Sequence, residues 1–322
     1  MSTFNWGIIG SGNVVRRKVL PALLECGETV LGAASLHHTS AQALAREFNL
    51  QESYRSVSAL LKDERIDAVY IATPVSSHYQ LTLAAARCGK HVLCEKPMAM
   101  SNAEALEMLR FCEQEQVTLA VAYYRRFFPI VQKIKQLLDE QIIGIPLRAD
   151  VLCYSPRDLK NQDHWRFDPA IGGGGVMMDI GSHRLDLLVY WFGNIVTVSG
   201  QIFHQALADV EDGCISSLTF EKNVQANARV FWTEPDYRDS ISIEGTDGFI
   251  KVENLNSGHL IVVTDAGEKA WSLPVVGHPH SNMIRHFRQQ LTLRRACLNS
   301  GEQAFQTTKA IDSIYQSNNI KS

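Results

Sequence analysis

The feature that most constrains the fold is a series of short, unbroken apolar runs separated by helical stretches in the first third of the chain. Apolar runs without alternating polar residues are typical of strands buried on both faces, and the helices between them are the crossovers of a parallel sheet. The predicted strands are Phe4–Ile9, Thr29–Ala34, Asp67–Thr73, His91–Cys94 and Thr118–Ala122. The predicted helices are Arg16–Cys26, Ser40–Phe48, Ser77–Cys88 and Asn102–Glu115. Residues 1–123 are therefore predicted to form a doubly wound α/β domain with a parallel sheet.

The remaining residues, 124–322, follow a different pattern, in which strands succeed one another without helices between them. Apolar and polar side chains alternate along Val224–Trp232, which is typical of an antiparallel sheet covered by helices on one face only. The predicted strands are Leu147–Tyr154, Ile195–Phe203, Cys214–Phe220, Val224–Trp232, Ser240–Glu244 and Leu260–Thr264. The predicted helices are Pro129–Glu140, one after the second glycine cluster, Ser281–Cys297 and Glu302–Ser317. This pattern predicts an α+β domain with a mostly antiparallel open sheet.

Charge and cysteine content limit the classes of partner. The formal net charge of −3 gives no reason to expect nucleic acid or an acidic membrane surface as partner, and no apolar run is long enough to span a membrane. The seven cysteines form neither a Cys-x-x-Cys pair nor a zinc-like cluster, so no metal site is expected. Reduced, buried thiols indicate a cytoplasmic protein.

A glycine turn follows the first predicted strand. The segment GIIGSGNVV places Gly10 and Gly12 between a strand and a helix, where Gly10 permits a tight turn and Gly12 lets the backbone approach a pyrophosphate. Val15 stands where the fingerprint has its third glycine, and a tight turn without a ligand is the alternative for the motif alone. Its position at the start of a βαβ series favours a dinucleotide-binding, Rossmann-type domain.

The end of the second strand bears on the choice of cofactor. A carboxylate that bonds the ribose 2′-OH of NAD would stand near Ser35, but the sequence there is ASLHHT. Ser35, His37, His38 and Thr39 can all donate hydrogen bonds to a 2′-phosphate, so NADP(H) is favoured and NAD(H) remains possible. The two histidines are equally well explained as exposed loop residues.

Two further motifs carry groups suited to proton transfer. Lys96, in the sequence EKP, follows a buried strand at its carboxyl end, where doubly wound folds place ligands. The alternative is a surface lysine paired with Glu95. After the glycines of GGGGVMMDIGSH, Asp179 and His183 would share a face if the segment is helical, and a carboxylate beside an imidazole suits proton transfer at neutral pH. The alternative is a capping aspartate and a buried structural histidine.

Together these segments resemble the Gfo/Idh/MocA family, which includes glucose–fructose oxidoreductase and inositol dehydrogenase. The resemblance covers nearly the whole chain and is strongest in GIIGSGNV, DAVYIATPVSSHYQLTLAAARCGKHVLCEKPMA and GGGGVMMDIGSHRLDLLVYWFG, with VAYYRRFFP between them. The EKP element and the glycine-rich DxxxH segment, in this order and at this separation, are a specific combination. The resemblance implies an NAD(P)-dependent oxidoreductase acting on sugars or polyols.

The resemblance also assigns roles to residues. It implies that Lys96, Asp179 and His183 are catalytic. Together with the reading of the strand-two loop, it predicts cofactor contacts from Gly10, Gly12, Asn13, Val14, Ser35, His37, Thr39, Thr73, Pro74, His78, Glu95 and Lys96. It implies substrate contacts from Tyr124, Arg125, His164, Trp165, Arg166, Asp179 and His183. The family's Ser-Arg signature for NADP is Ser35-Leu36 here, which leaves the cofactor open.

The predicted reaction is a reversible hydride transfer between nicotinamide and a secondary alcohol or ketone carbon. His183 takes the hydroxyl proton, Lys96 stabilises the developing alkoxide, and Asp179 orients His183 or holds a neighbouring hydroxyl. A homodimer or homotetramer formed through the C-terminal sheet is expected. The alternatives are a dihydrodiol-type dehydrogenase with the same catalytic residues and a regulator that senses NAD(P) without catalysis.

Overall fold

A computed structural model of the chain describes residues 4–159, 165–275 and 277–319. The contacts between these residues divide the chain into two compact units. The first unit comprises the residues up to Tyr124 together with Gly277–Phe305, and the second comprises Arg125–Val276 together with the residues from Gln306.

Strands and helices alternate in the first part of the chain. The strands are β1 (Asn5–Ile9), β2 (Thr29–Ala34), β3 (Glu52–Tyr54), β4 (Ala68–Ile71), β5 (His91–Cys94) and β6 (Leu119–Val121). The helices are α1 (Leu20–Glu25, preceded by a π turn, Val15–Val19), α2 (His38–Phe48), α3 (Val57–Leu61), α4 (His78–Arg87) and α5 (Asn102–Gln114). The hydroxyls of Ser56 and Ser101 accept backbone N–H groups of the first turns of α3 and α5, so serine caps fix where these two helices begin.

The six strands form one parallel sheet in the order β3-β2-β1-β4-β5-β6. Every residue of β4 is buried, as expected for a central strand with helices on both faces. The order reverses between β1 and β4, and doubly wound sheets bind ligands at the carboxyl ends of the strands beside this point. The loops after β1, β2, β4 and β5 are therefore the ones that position a dinucleotide site.

The later part of the chain is mainly β. Its strands are β7 (Pro146–Tyr154), β8 (Ile195–Phe203), β9 (Gly213–Phe220), β10 (Gln225–Phe231), β11 (Arg238–Gly245), β12 (Gly248–Val252), β13 (His259–Thr264) and β14 (Gly267–Ser272). The helices are α6 (Pro129–Asp139), α7 (Pro169–Gly172), α8 (Ser182–Phe192), α9 (Ser281–Leu293) and α10 (Gly301–Ser317). Among the described residues, no helix combines the length and the apolar character needed to cross a membrane.

The eight strands of the second unit form a single sheet in the order β14-β13-β12-β11-β7-β10-β9-β8. β7 pairs with β10 in parallel, and every other pair of neighbours is antiparallel. Along β10, Ala226 and Ala228 are buried whereas Gln225 and Asn227 are exposed. This period of two gives the sheet one buried face, which α8 contacts, and one face on which the described side chains are mostly exposed.

The structure confirms the predicted fold class, a doubly wound parallel sheet followed by a mostly antiparallel one. Five elements have no predicted counterpart: β3, α3, α7, β12 and β14, of which α7 is only four residues long. β3 and α3 are three and five residues long, too short to show a period, and β12 and β14 begin at glycines and carry charged side chains. Helix α9 ends at Leu293, before the predicted end, because Arg294 adopts a left-handed conformation with φ of 52°.

The division into units differs from the predicted domains at one segment, Gly277–Phe305, which belongs to the first unit. The Phe287 ring of α9 packs against Trp6 of β1 with the ring centroids 5.4 Å apart. Beyond α9, the Asn299 amide donates a 2.6 Å hydrogen bond to the carbonyl of Val121 in β6. The predicted division followed the order of elements along the chain, which does not reveal such a return.

Candidate active site

The glycine turn after β1 has the geometry that a bound pyrophosphate requires. Gly10 has a φ of 117°, and a Cβ atom there would lie 2.3 Å from the carbonyl oxygen of Ala72, so only glycine is tolerated. At Gly12 a Cβ atom would meet nothing within 4 Å. Asn13 and Val14 continue from this open position toward the helix. The turn therefore fits a dinucleotide whose phosphates approach the backbone at Gly12.

The loop after β2 is joined to this turn through two hydroxyl groups. The Ser11 and Ser35 oxygens lie 2.8 Å apart, which places Ser35 beside the glycine turn. His37 and Thr39 are exposed. The Nε2 atom of His38, which lies between them, is 3.1 Å from the Ser53 carbonyl oxygen. Of the two histidines, His37 is thus the one whose exposed ring can meet a ligand.

The loops after β4 and β5 are connected by His78. Its Nδ1 atom lies 2.9 Å from the carbonyl oxygen of Pro97 and its Nε2 atom 3.0 Å from that of Thr73. The ring is fully buried, and burial lowers the pKa of His78 below its ordinary value. A neutral imidazole donates one N–H, so only one of the two carbonyls accepts a hydrogen bond at a time, and the ring packs between the two loops. Thr73 also accepts a 2.7 Å hydrogen bond from the Ser77 hydroxyl, while Pro74 begins the turn before α4.

Lys96 is the second residue after β5, and Glu95 between them is buried, with 9% of its surface exposed. The Glu95 carboxylate accepts a 2.9 Å hydrogen bond from the Tyr70 hydroxyl, and its Oε1 atom lies 3.5 Å from Nε2 of His280. The other oxygen, Oε2, accepts the backbone N–H of Lys96 at 3.2 Å. The Glu95 carboxylate is therefore a buried group with several partners and not part of an exposed surface pair.

The second glycine cluster packs against protein groups. A Cβ atom at Gly174 would lie 2.2 Å from the Tyr315 hydroxyl, and one at Gly175 would lie 1.9 Å from the carbonyl oxygen of Glu211. The buried Glu211 carboxylate accepts the N–H groups of Gly175 and Met177 at 2.9 and 3.0 Å, and the Tyr315 hydroxyl at 2.7 Å. At these two positions the glycines are required by close packing.

Asp179 lies in the π turn Met177–Gly181 that leads into α8. Arg157 donates a hydrogen bond to its Oδ2 atom, and Nε of Arg166 lies 3.6 Å from its Oδ1 atom. The side chain is 13% exposed, so these guanidinium groups hold the carboxylate in a mostly enclosed setting. Asp179 is thus positioned by cations as well as by its own helix.

The remaining predicted substrate residues have varied surroundings. His183 lies in the first turn of α8 and is 6% exposed. Trp165 is 37% exposed and lies under the Arg166 guanidinium, 4.3 Å from the ring centroid. Arg125 donates a 3.1 Å hydrogen bond to Asn256. The Tyr124 ring packs on His280 with centroids 4.6 Å apart, and His164 lies outside the described residues.

Three residues that support these groups were not predicted from the sequence: Arg157, Glu211 and His280. Each comes from a segment outside the motifs, 22 to 185 residues away from the group it contacts. Spacing along the chain carries no signal of such contacts. A buried acid can be suspected at Glu211 because it stands beside apolar residues in ADVEDGCI, but the sequence does not name its partner.

Comparison with known proteins gives the same family for both parts of the chain. Residues 4–123 match the model of the oxidoreductase family with an NAD-binding Rossmann fold, and residues 131–251 match the GFO/IDH/MocA C-terminal domain. Oxidoreductase P35 of Formosa agariphila is 32% identical, with 77% of this chain and 79% of that protein covered. The 1,5-anhydro-D-fructose reductase of Ensifer adhaerens is 32% identical, with 78% of this chain and 76% of that protein covered. A levoglucosan dehydrogenase in complex with NADH and levoglucosan has the same fold, with a TM-score of 0.91, 22% identity, and coverage of 99% of this chain and 98% of that one.

The fold and these matches define the class, an oxidoreductase that acts on CH–OH groups with a nicotinamide dinucleotide as cofactor. The chain belongs to the Gfo/Idh/MocA oxidoreductase family. The resemblance inferred from the sequence motifs is confirmed.

Proposed function

We propose that the chain catalyses reversible hydride transfer between NAD(P) and a secondary alcohol or ketone carbon of a sugar, polyol or sugar derivative. The observation that carries the proposal is Lys96 at the carboxyl end of β5, in the sheet whose glycine turn leaves open space at Gly12. The likeness to an anhydrofructose reductase supports a sugar as the substrate. When bound, the nicotinamide ring accepts or gives the hydride.

The protein's own groups move the proton and stabilise the charge. His183 accepts the hydroxyl proton as the alcohol is oxidised, and Lys96 donates a hydrogen bond to the developing alkoxide. Asp179, held by Arg157, orients His183 or binds a neighbouring hydroxyl. Trp165 offers its partly exposed ring as an apolar platform for one face of a sugar.

The cofactor is proposed to bind residues 1–123 and to be NADP(H) in preference to NAD(H). Ser35 lies beside the glycine turn where a carboxylate would repel a 2′-phosphate, and the exposed His37 and Thr39 follow it. Three donors and no carboxylate in this loop support the preference. Thr73, Pro74 and Lys96 are proposed to contact the nicotinamide half from the two loops that His78 joins.

Residues 124–322 are proposed to bind the substrate and to form a homodimer or homotetramer through the exposed face of the eight-stranded sheet. Apolar side chains on that face support the assembly, among them Ile215 and Phe249, which are 39% and 40% exposed. The proposed location is the cytoplasm, and the seven free cysteines agree with its reducing conditions.

The test begins with a screen of sugars, polyols and nucleotide sugars, followed by the absorbance of the reduced cofactor. With the best substrate, Lys96→Met and His183→Ala are each expected to lower kcat by about 10²- to 10⁴-fold, because each removes a proton-transfer or charge-stabilising group. Cofactor affinity, measured by protein fluorescence, is expected to stay close to that of the wild type.

Matched controls separate these effects from changes in charge. Lys62 and His204 are exposed residues away from the motifs, so Lys62→Met and His204→Ala are expected to retain wild-type kcat. Near-normal turnover by purified Lys96→Met or His183→Ala protein would contradict the assignment of that residue.

A further inference from the structure

A polar cluster is buried directly behind Lys96. At its centre is the Glu95 carboxylate, whose Oε1 atom accepts the Tyr70 hydroxyl at 2.9 Å and lies 3.5 Å from Nε2 of His280. Its Oε2 atom accepts the backbone N–H of Lys96 at 3.2 Å. One carboxylate therefore connects His280 to the residue proposed to stabilise the alkoxide.

The surroundings of Glu95 keep it ionised. A buried carboxylate is costly unless charged or polar partners compensate it. Burial by itself raises the pKa of Glu95, but the nearby His280 ring, the charge of Lys96 and the Tyr70 hydrogen bond together bring this pKa below its ordinary value. The negative charge at Glu95 is thus shared among three neighbours.

His280 is held in place from a distant part of the chain. It directly precedes α9, in the segment that returns to the first unit, and is 3% exposed. Its ring packs on Tyr124 with the ring centroids 4.6 Å apart and the planes inclined by 34°. This packing directs the Nε2 atom toward Glu95 and leaves the imidazole little freedom to turn away.

We propose that His280 is a positioning residue for Lys96, acting through Glu95. Its 3.5 Å contact with Oε1 fixes the carboxylate, whose second oxygen fixes the backbone of Lys96, and the polar edge of the ring offsets part of the carboxylate field that would otherwise act on the Lys96 ammonium. The inference rests on the proposed function, in which Lys96 stabilises the alkoxide. It adds a residue outside the EKP and DxxxH motifs to the machinery of the reaction.

Several titratable groups surround this connection, and each bears on its pH dependence. Those that interact electrostatically with Glu95 or pack on His280 are Tyr70 on β4, His78 on α4, Cys94 on β5, Lys96 after β5, and Tyr124 after β6. Lys96 and His280 share the charge of Glu95 most directly, so replacing Glu95 and replacing His280 change the field at the ammonium in opposite directions.

The experiment compares pH profiles of kcat for His280→Phe, Glu95→Gln and the double variant. Phenylalanine keeps the packing on Tyr124 but removes the contact with Glu95, so more of the carboxylate charge acts on Lys96. In the pH profile of kcat, the alkaline decrease that we assign to loss of the ammonium proton is expected to move to higher pH by about half a pH unit or more. At neutral pH, kcat is expected to fall about tenfold. Glu95→Gln removes the charge and is expected to move the same limb down.

The double variant shows whether His280 acts through Glu95. In the Glu95→Gln background, His280→Phe is expected to cause no further shift, because no carboxylate remains for it to influence. His280→Gln, whose amide can donate to the same oxygen, is expected to recover most of kcat and the wild-type limb. Arg285→Gln on the exposed side of α9 is the control, with unchanged kcat.

Cofactor affinity, measured by fluorescence, confirms that each variant is folded. If His280→Phe fails to bind NADPH, it is replaced by His280→Asn, whose amide is too short to reach Glu95. Lys96→Met is measured in the same series. If Lys96→Met is inactive while His280→Phe and His280→Asn keep wild-type kcat and an unshifted limb, the inference on His280 is wrong and the proposed function stands. Parallel shifts for Glu95→Gln and His280→Phe, or shifts that add in the double variant, also overturn it. Normal turnover by Lys96→Met overturns the proposed function and this inference together.

Discussion

At the residue scale, Ser35 occupies the position after β2 where a single side chain bears on the choice between NAD(H) and NADP(H). Its hydroxyl lies 2.8 Å from that of Ser11 in the glycine turn, so a carboxylate placed there would stand beside the turn at which we propose that the cofactor binds. A carboxylate bonds a free 2′-OH and repels a 2′-phosphate.

Ser35→Asp is therefore expected to shift the ratio of NADPH to NADH affinity toward NADH by about tenfold, which corresponds to ~1.4 kcal/mol. Ser35→Ala serves as the control, because it removes the hydroxyl without adding charge and is expected to change the ratio less. Fluorescence titration with both reduced cofactors measures the two dissociation constants. If the wild type binds NADH more tightly than NADPH and Ser35→Asp has the same affinity ratio, Ser35 does not govern the choice between the two cofactors.

The motifs predict which residues lie at the ends of strands, but they do not predict what holds those residues. Lys96 follows β5 as the EKP element suggests, and the carboxyl ends of parallel strands meet at one edge of a sheet. Arg157 and His280 could not be found in this way, because their contacts join segments far apart in the chain. Those contacts depend on the packing of side chains, which spacing does not encode.

At the scale of elements, the turn that carries Asp179 depends on one buried acid. Glu211 accepts two backbone N–H groups of this turn and the Tyr315 hydroxyl, while burial raises the pKa of its carboxyl despite these bonds. A glutamine has one oxygen in place of two, so one N–H group loses its acceptor.

Glu211→Gln is expected to lower the free energy of unfolding by about 1–3 kcal/mol, the cost of a buried donor without a partner. It is also expected to lower kcat with unchanged cofactor affinity, because the turn that carries Asp179 shifts. Tyr315→Phe, which leaves both N–H bonds in place, is the matched control and should cost about 0.5–1.5 kcal/mol. Urea unfolding and steady-state kinetics measure the two effects, and a wild-type kcat in Glu211→Gln would count against the role of the turn.

Within the second unit, a buried ion pair joins helix α8 to Arg126. Arg126 donates two hydrogen bonds to Asp186, at 2.6 and 2.8 Å, and both side chains are at most 1% exposed. Asp186→Ala leaves the guanidinium buried without its carboxylate and is expected to cost about 3–5 kcal/mol of stability. The double variant Arg126→Met with Asp186→Leu removes both charges and should recover most of that loss. The midpoint of urea unfolding measures the stability of each variant. Equal midpoints for the single and double variants would show that the buried, unpaired guanidinium is not the cause of the loss.

At the scale of the whole molecule, the eight-stranded sheet of the second unit has one exposed face. Among the described residues, the side chains that β9, β10 and β12 place on this face are mostly exposed. In β9, Cys214 and Ser216 are buried whereas Ile215 and Ser217 are exposed, and Phe249 in β12 is also exposed. The alternation that predicted this sheet from the sequence also predicts its exposed face. The strand order was not predictable, because β7 pairs with β10 and β11, from which it is separated along the chain by α7, α8, β8 and β9.

Ile215→Lys is expected to shift the protein toward monomer, because it places a charge on the face through which we propose that copies pair. Leu24→Lys, at a position 47% exposed on α1, is the control and should leave the assembly intact. Light scattering at micromolar concentration measures the mass. A wild-type protein that is entirely monomeric in this measurement would refute the assembly.

The return of Gly277–Phe305 to the first unit has a consequence for synthesis. A ribosome completes the first stretch of that unit at residue 124 and reaches residue 305 only after 181 further residues. At roughly 5–20 residues per second, the nascent parallel sheet waits about 9–36 s for α9 and for Asn299 at the edge of β6. During this interval the surface of Trp6 that later receives Phe287 has no native cover, so a chaperone that binds apolar surface has its longest opportunity there.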